Sequence, residues 1–412
     1  MKPLQIYSKP SLTINLLKTS LLSLMLVASS LTLFSQDEEA DSSAYQFTNK
    51  VDLPATSVKD QYRSGTCWVF SGLSFLESEL IRKGKGEHDL AEMYLVKKDY
   101  HARAVDYVRW QGAKSFSGGA ESNNVFDRIK ESGIVPELVF PGLNYGEKKH
   151  VHGEMDELLD AYVKAVVLNK NNKLSPAWIK GFDGILDAYL GVDPQRFTYN
   201  GKEYTPSSFC DELEINPDDY IEISSFTHHP FYEQFVMEVP DNWSLGMVYN
   251  VPLDELLQIA YVSLNKGYTV LWGSDVSEKG FSDKNGVAIV PQDDIAELSD
   301  SERLKWEPLT EKERKKQLYS FKEIVPEKTI TQEMRQKAFD NYQTTDDHGM
   351  HITGYATDQN GHKYFKVKNS WDTDNIYKGY FYASENWFLY KTLSIVVHKD
   401  AVPKAILEKL KL

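Results

Sequence analysis

Residues 61–81 decide the fold: Gln61-Tyr62-Arg63-Ser64-Gly65-Thr66-Cys67-Trp68-Val69-Phe70, then Ser71-Gly72-Leu73-Ser74-Phe75-Leu76-Glu77-Ser78-Glu79-Leu80-Ile81. From Cys67 onward the apolar residues Val69, Phe70, Leu73, Leu76 and Leu80 recur at three and four, which predicts an amphipathic helix opening at Cys67. Arg82, Lys83 and Gly84 are its stop signals. Cys67 therefore stands at a helix N-terminus, where unpaired N–H groups and the helix dipole favour an anion. A thiol so placed is expected to have a lowered pKa and to be a thiolate at neutral pH. The alternative is a small buried residue, because free cysteine is among the most buried types. Spacing alone does not choose between the two.

Working outward, a second helix is expected over about 91–103 and a third over about 123–131, with a Gly/Ser loop at 115–120 between them. Helical periodicity at 155–168 and 176–190 reads as a helical insertion. Beyond about residue 220 strand-like runs dominate, among them Thr269-Val270-Leu271-Trp272, His351-Ile352-Thr353-Gly354-Tyr355 and Tyr364-Phe365-Lys366-Val367. Helix-rich chain followed by strand-rich chain implies an α+β protein of two lobes with a cleft between them. The expected boundaries are a helical lobe at about 47–149, an insertion at about 150–219, a β-rich lobe at about 220–398 and a short tail at 399–412.

The 412 residues are 41% hydrophobic and 26% charged, enough apolar matter for a sizeable core. Sixty acidic residues against 46 basic ones give a formal charge of −14, which argues against non-specific nucleic-acid binding. Two cysteines, Cys67 and Cys210, rule out a disulfide framework. At the N-terminus Lys2, Lys9 and Lys18 precede an apolar run from Leu21 to Leu33, and no acid occurs before Asp37. Residues 1–35 read as a signal peptide cut near Ser35 or Gln36, followed by a polar lead over 36–46. The protein is then expected to be exported, to the periplasm or beyond the cell; an uncleaved anchor is the other reading. A cysteine kept in an oxidising compartment without a partner is more often chemical than structural.

A thiol that attacks peptide bonds needs a histidine base, a group that orients it, and donors for the oxyanion. His348 opens a strand-like run, and Asn369 closes a later one. Adjacent antiparallel strands can bring the two together, so that the Asn369 amide oxygen accepts from one imidazole nitrogen while the other faces sulfur. Gln61 and the Cys67 backbone N–H can serve the oxyanion.

These residues resemble the motifs of papain-like cysteine peptidases. Gln61 through Phe70, with Gly-Thr-Cys-Trp and no second cysteine before Cys67, is most similar to the bleomycin hydrolase / aminopeptidase C branch. Gly118-Gly119, Gly133-Ile134-Val135-Pro136, Phe197-Thr198-Tyr199, Trp272-Gly273-Ser274-Asp275-Val276, His348 and Lys368-Asn369-Ser370-Trp371 follow in that branch's order. The resemblance runs from about Phe47 to Leu407 and implies a papain-like two-lobe fold with a long insertion. It implies Cys67 as nucleophile, His348 as general acid/base, Asn369 as orienter, Gln61 in the oxyanion hole and Trp371 as a cover over the His–Asn bond. Gly118 and Gly119 would present backbone groups to peptide substrates as an added strand. The reaction implied is hydrolysis with no cofactor and no metal, and the branch is often a homo-oligomer.

Three positions depart from the branch: Gly349 stands where alanine is common, Asp372 where glycine is usual, and residues 402–412 resemble only the start of a C-terminal arm that gates the cleft. An aminopeptidase is expected, with an open-cleft endopeptidase and a silent peptide-binding protein as alternatives. His228-His229 and His150/His152 lack companions at metal-ligand spacing and are read as surface histidines. His351 is expected to face away from His348, and Cys210 to be a small buried residue. The charged stretch 296–335 is read as a solvated face, or as an oligomer contact through its apolar residues.

Overall fold

The computed structural model describes residues 44–412 apart from residue 172. The expected signal peptide and most of the polar lead lie outside the described residues. In chain order the elements are β1 (Thr48–Asp52), α1 (Cys67–Arg82), α2 (Glu92–Arg109), α3 (Ser122–Ser132), α4 (Gly153–Val167), α5 (Ala177–Leu190), β2 (Phe197–Tyr199), β3 (Lys202–Tyr204) and α6 (Pro206–Leu213). Then come β4 (Tyr220–Ser224), β5 (Gln234–Val236), β6 (Met247–Asn250), α7 (Leu253–Asn265), β7 (Val270–Ser274), β8 (Phe281–Ser282) and β9 (Val287–Ala288). The last are α8 (Asp300–Trp306), α9 (Glu311–Leu318), α10 (Gln332–Asp340), β10 (His348–Thr357), β11 (Lys363–Lys368), β12 (Tyr380–Ser384), α11 (Glu385–Lys391), β13 (Thr392–His398) and α12 (Lys404–Leu410).

Helix α1 begins at Cys67, and its preceding residue Thr66 makes no side-chain cap. The first N–H groups of the helix are therefore not satisfied by a cap, as any helix start leaves them. Thirteen of its sixteen residues are buried, so α1 is a central helix rather than a surface one. One face meets α3: a Cβ on Gly72 would stand 2.6 Å from Val125 Cγ2, so only glycine allows this approach. The opposite side lies on the sheet, where the buried Ser74 hydroxyl meets His351 Nδ1 at 2.9 Å and accepts from Lys368 Nζ at 2.7 Å.

Among the described residues, eleven strands join one sheet in the order β5-β6-β4-β13-β7-β10-β11-β12-β9-β8, with β1 added beside β10. Strand β10 is paired along both edges. Its first half, His348 to Ile352, lies antiparallel to β7, and its second half, Gly354 to Thr357, lies antiparallel to β1. On the other edge β11 runs from His351↔Lys368 to Thr357↔Lys363. Apolar residues of α1–α6 form one core, which takes in Leu271 and Val396 from the sheet. The second core holds Met350 and Ile352 of β10 with α7, α11 and α12. The fold is the α+β, two-lobed papain-like arrangement, with α1 between the helical core and the sheet.

Several sequence-based expectations need correction. Residues 48–52 pair with β10 and so belong to the β-rich lobe, not the helical one. The region 150–219 is not purely helical, because β2 and β3 form a hairpin before α6. That region is also not separate, since Met155, Phe182, Leu186 and Phe209 share the core of α1 and α2. Most large apolar residues of 296–335 do not face outward: Trp306, Leu318, Phe321 and Val325 bury themselves with Tyr45, Tyr364 and Tyr382 in a third core, while Leu304 stays exposed. Charge counting missed this because the few large apolar residues stand at wide spacing, at the ends of two short, strongly charged helices and just after the second.

Candidate active site

Cys67 leads α1, His348 leads β10, and Asn369 follows directly on β11. The fold brings Gln61, Cys67, Gly119, His348 and Trp371 to one cleft of about 230 Å³. His348 Nε2 donates to Asn369 Oδ1 at 2.7 Å, and both side chains are buried. That bond fixes the proton of neutral imidazole on Nε2 and leaves Nδ1 as the acceptor. The Trp371 ring stacks on the imidazole, centroids 4.5 Å apart and planes 28° apart, and shields the bond from water. Asn369 Oδ1 also accepts the Ser370 N–H at 2.8 Å, so the amide cannot turn freely.

Gln61 is held from the other side. Its N–H donates to the Ser370 carbonyl at 2.9 Å, and Ser370 Oγ donates to its Oε1 at 2.6 Å. With the oxygen taken, the amide nitrogen of Gln61 is turned away from Ser370. Sequence reasoning did not single out Ser370, although it stands between Asn369 and Trp371.

The electrostatics run against one expectation. Burial pushes the Cys67 thiol up, to about 11. The N–H groups of Gly349 and Trp68 oppose this, and the nearby carboxylates of Asp346 and Asp241 add to it. Burial pushes His348 the other way, to about 4, against the opposing effect of its bond to Asn369. Each group by itself is therefore held neutral at neutral pH. Desolvation thus opposes the helix N-terminus, whose dipole effect is about 1 kcal/mol.

Gly349 lets β10 approach α1. A Cβ there would stand 2.7 Å from Ser71 Oγ, which donates to the Cys67 carbonyl at 2.8 Å. Asp372 occupies a left-handed turn position, φ +65°, which explains why glycine suits it. Its carboxylate accepts from Thr373 N at 2.8 Å and lies 3.4 Å from Lys149 Nζ, which also pairs with Asp60 at 2.7 Å.

Both glycines of the expected substrate strip have their carbonyls already engaged. Gly118 gives its carbonyl to Trp68 Nε1 at 3.1 Å, and Gly119 gives its own to Arg103 Nη1. A Cβ on Gly119 would meet the Asp241 carboxylate at 2.1 Å, so that carboxylate lies directly against the strip. Glu121, Asp241, Asp346 and Asp347 also line the cleft, and none of its lining residues is lysine or arginine. No sequence reading singled out these four, because nothing local marks them as neighbours.

Elsewhere, His351 faces α1 through Ser74 and Phe75, the opposite side from His348. Cys210 is buried and free, its thiol facing the Ile215 carbonyl at 3.5 Å. The fold does supply His228 and His229 with a companion that spacing did not show: Glu238 accepts from His228 Nε2 at 3.0 Å and from His229 Nε2 at 2.7 Å. Gln336 Nε2 donates to His228 Nδ1 at 3.0 Å, which keeps the ring proton on Nε2 and commits both of its nitrogens to hydrogen bonds. His150 and His152 are not surface residues; burial lowers both to about 4.

A model of the Peptidase C1-like family matches residues 311–412, which include His348 and Asn369. The chain is 24% identical over 400 residues to aminopeptidase G of Lactobacillus delbrueckii subsp. lactis, covering 86% of this chain and 83% of that one. It is 23% identical over 400 residues to aminopeptidase C of Lactobacillus helveticus, covering 86% and 82%. Bleomycin hydrolase of Gallus gallus is 21% identical over 421 residues, covering 88% and 84%. Among solved structures, pepw from Lactobacillus rhamnosis HN001 superposes with a TM-score of 0.64 at 20% identity, covering 88% of this chain and 84% of that one.

Proposed function

We propose that the chain is a papain-like cysteine peptidase of the aminopeptidase C/bleomycin hydrolase branch, a thiol aminopeptidase acting through Cys67, His348 and Asn369; the family match and the similar relatives support this reading. The observation that carries the reading is the buried 2.7 Å bond from His348 to Asn369 beneath Trp371, in the same cleft as Cys67.

In this reading Cys67 Sγ passes its proton to His348 Nδ1 as it attacks the substrate carbonyl. The two neutral groups become an ion pair only as the new bond forms, and Asn369 Oδ1 steadies the imidazolium. The oxyanion accepts from the Cys67 N–H and the Gln61 amide, two donors that need not move during the reaction. His348 returns the proton to the leaving amine. Water then attacks the thioester with His348 as base, which regenerates the thiol. Export directed by residues 1–35 forms part of the same proposal.

The test is a matched pair of fluorogenic peptides, one with a free N-terminus and one acetylated, assayed under reductant with Cys67→Ala as blank. Cleavage of the free peptide alone is expected. Cleavage of both would replace the aminopeptidase with an endopeptidase, and no Cys67-dependent cleavage of either would overturn the enzymatic reading.

A further inference from the structure

The cleft is lined by a carboxylate, Glu121, one of whose oxygens the fold leaves unpaired. Glu121 directly precedes α3 and makes no side-chain cap bond to it. It is 92% buried by its 8% exposure, and its Oε1 has no hydrogen-bond partner. An unpaired buried carboxyl oxygen costs free energy, so a compensating role is to be sought in the cleft it lines.

Its surroundings are acidic. The half-buried Asp346 carboxyl, two residues before His348, lies beside Glu121, and its charge raises Glu121 further. Burial, with each other's charge, holds Glu121 well above the ordinary carboxylate range. Asp241 stands against Gly119, with Ser117 Oγ at 3.4 Å and Arg103 Nη2 at 3.8 Å. The fourth carboxylate, Asp347, is committed elsewhere: it accepts from Ser277 N at 3.1 Å and Thr345 Oγ1 at 2.9 Å. Three carboxyl groups thus converge on one side of the cleft with no basic residue lining it.

Resting on the peptidase reading above, we propose that Glu121, with Asp346 beside it and Asp241 at the rim, binds a cationic group of the peptide substrate. The group is an ammonium or guanidinium, supplied either by the peptide N-terminus or by a lysine or arginine side chain. Its arrival gives Oε1 a donor and lets Glu121 release its proton to solvent, so the acids become a paired site instead of a repelling one.

The experiment uses four peptides of one length, free or acetylated, each with arginine or leucine on the N-terminal side of the cleaved bond. They are assayed on the full chain, on Glu121→Gln and on Asp346→Asn. Binding of the same four peptides to Cys67→Ala, and to Cys67→Ala carrying Glu121→Gln, is read by calorimetry, which needs no turnover. The expected result is a preference for the cationic member of about tenfold or more in kcat/KM and in affinity, the scale of one close charge pair. In either acid variant the ratio falls toward one. Preference for arginine in acetylated peptides assigns a side-chain site, and preference for free over acetylated leucine peptides assigns an amine site. Equal treatment of cationic and neutral peptides by the wild-type protein, or a ratio unchanged in Glu121→Gln, overturns the proposal. Loss of all turnover with the calorimetric preference intact would strike the peptidase reading and leave this one standing.

Discussion

Ser370 Oγ donates to Gln61 Oε1 at 2.6 Å, tying the loop before α1 to the residue that follows Asn369. One hydroxyl thereby sets which end of the Gln61 amide faces the cleft. Ser370→Ala should let that amide turn and lower kcat by about tenfold with little change in KM. Gln61→Ala should remove the donor altogether and lower kcat by about 10²-fold or more. Steady-state kinetics on a free-amine peptide decides this, and an unchanged kcat in Gln61→Ala would place the oxyanion elsewhere.

The neutral resting pair makes a prediction about pH. Cys67 is raised, so it is a thiol below its pKa, near 11, and a thiolate above. His348 is lowered, so it is imidazolium only below about 4 and a competent acceptor above. Reaction with iodoacetamide at pH 7 should therefore depend on His348. In His348→Ala the alkylation rate should fall by about 10²-fold and recover only as pH climbs toward 11. If His348→Ala reacts at pH 7 as fast as the wild-type protein, the helix N-terminus alone generates the thiolate.

Gly349→Ala places a methyl group 2.7 Å from Ser71 Oγ. Stability should fall by about 1–3 kcal/mol, the usual effect of overfilling a close contact. Ser71→Ala combined with Gly349→Ala should be less damaging than the sum of the two. Urea denaturation of the four proteins gives the coupling, and strict additivity would mean that β10 simply shifts.

Asp372 takes a left-handed backbone that strains any residue with a Cβ, though short polar side chains tolerate it best. Asp372→Ala loses the bond to Thr373 N and should lower stability by about 1 kcal/mol. Asp372→Gly should recover most of that loss, since glycine meets the φ without strain. Chemical denaturation separates the two, and a glycine variant weaker than the alanine one would point instead to the carboxylate between Thr373 and Lys149.

The sequence made legible what local pattern records. The helix at Cys67 follows from its own periodicity, and His348 could be set beside Asn369 because both flank a hairpin of antiparallel strands. The acids of the cleft were not legible. Glu121 precedes a helix in the helical lobe, Asp241 sits in a loop of the β-rich lobe, and Asp346 precedes β10; only tertiary folding makes them neighbours. The pairing of β1 with β10 escaped for the same reason, since Thr48 and Thr357 stand at opposite ends of the domain sequence. The thiolate expectation rests on a helix start, which is visible in sequence; the desolvation that opposes it is not.

Strand β10 holds hydrogen-bonded neighbours along both edges, and His348 is its first residue. His348 itself pairs with Ser274 of β7, and from His351 onward the strand is also locked to β11, so the histidine stands at the edge of a segment held on both sides. Amide protons of β10 should thus exchange only through global unfolding, and catalytic competence should vanish at the same denaturant concentration as the fold. Residual activity then reports directly on how much folded protein is left.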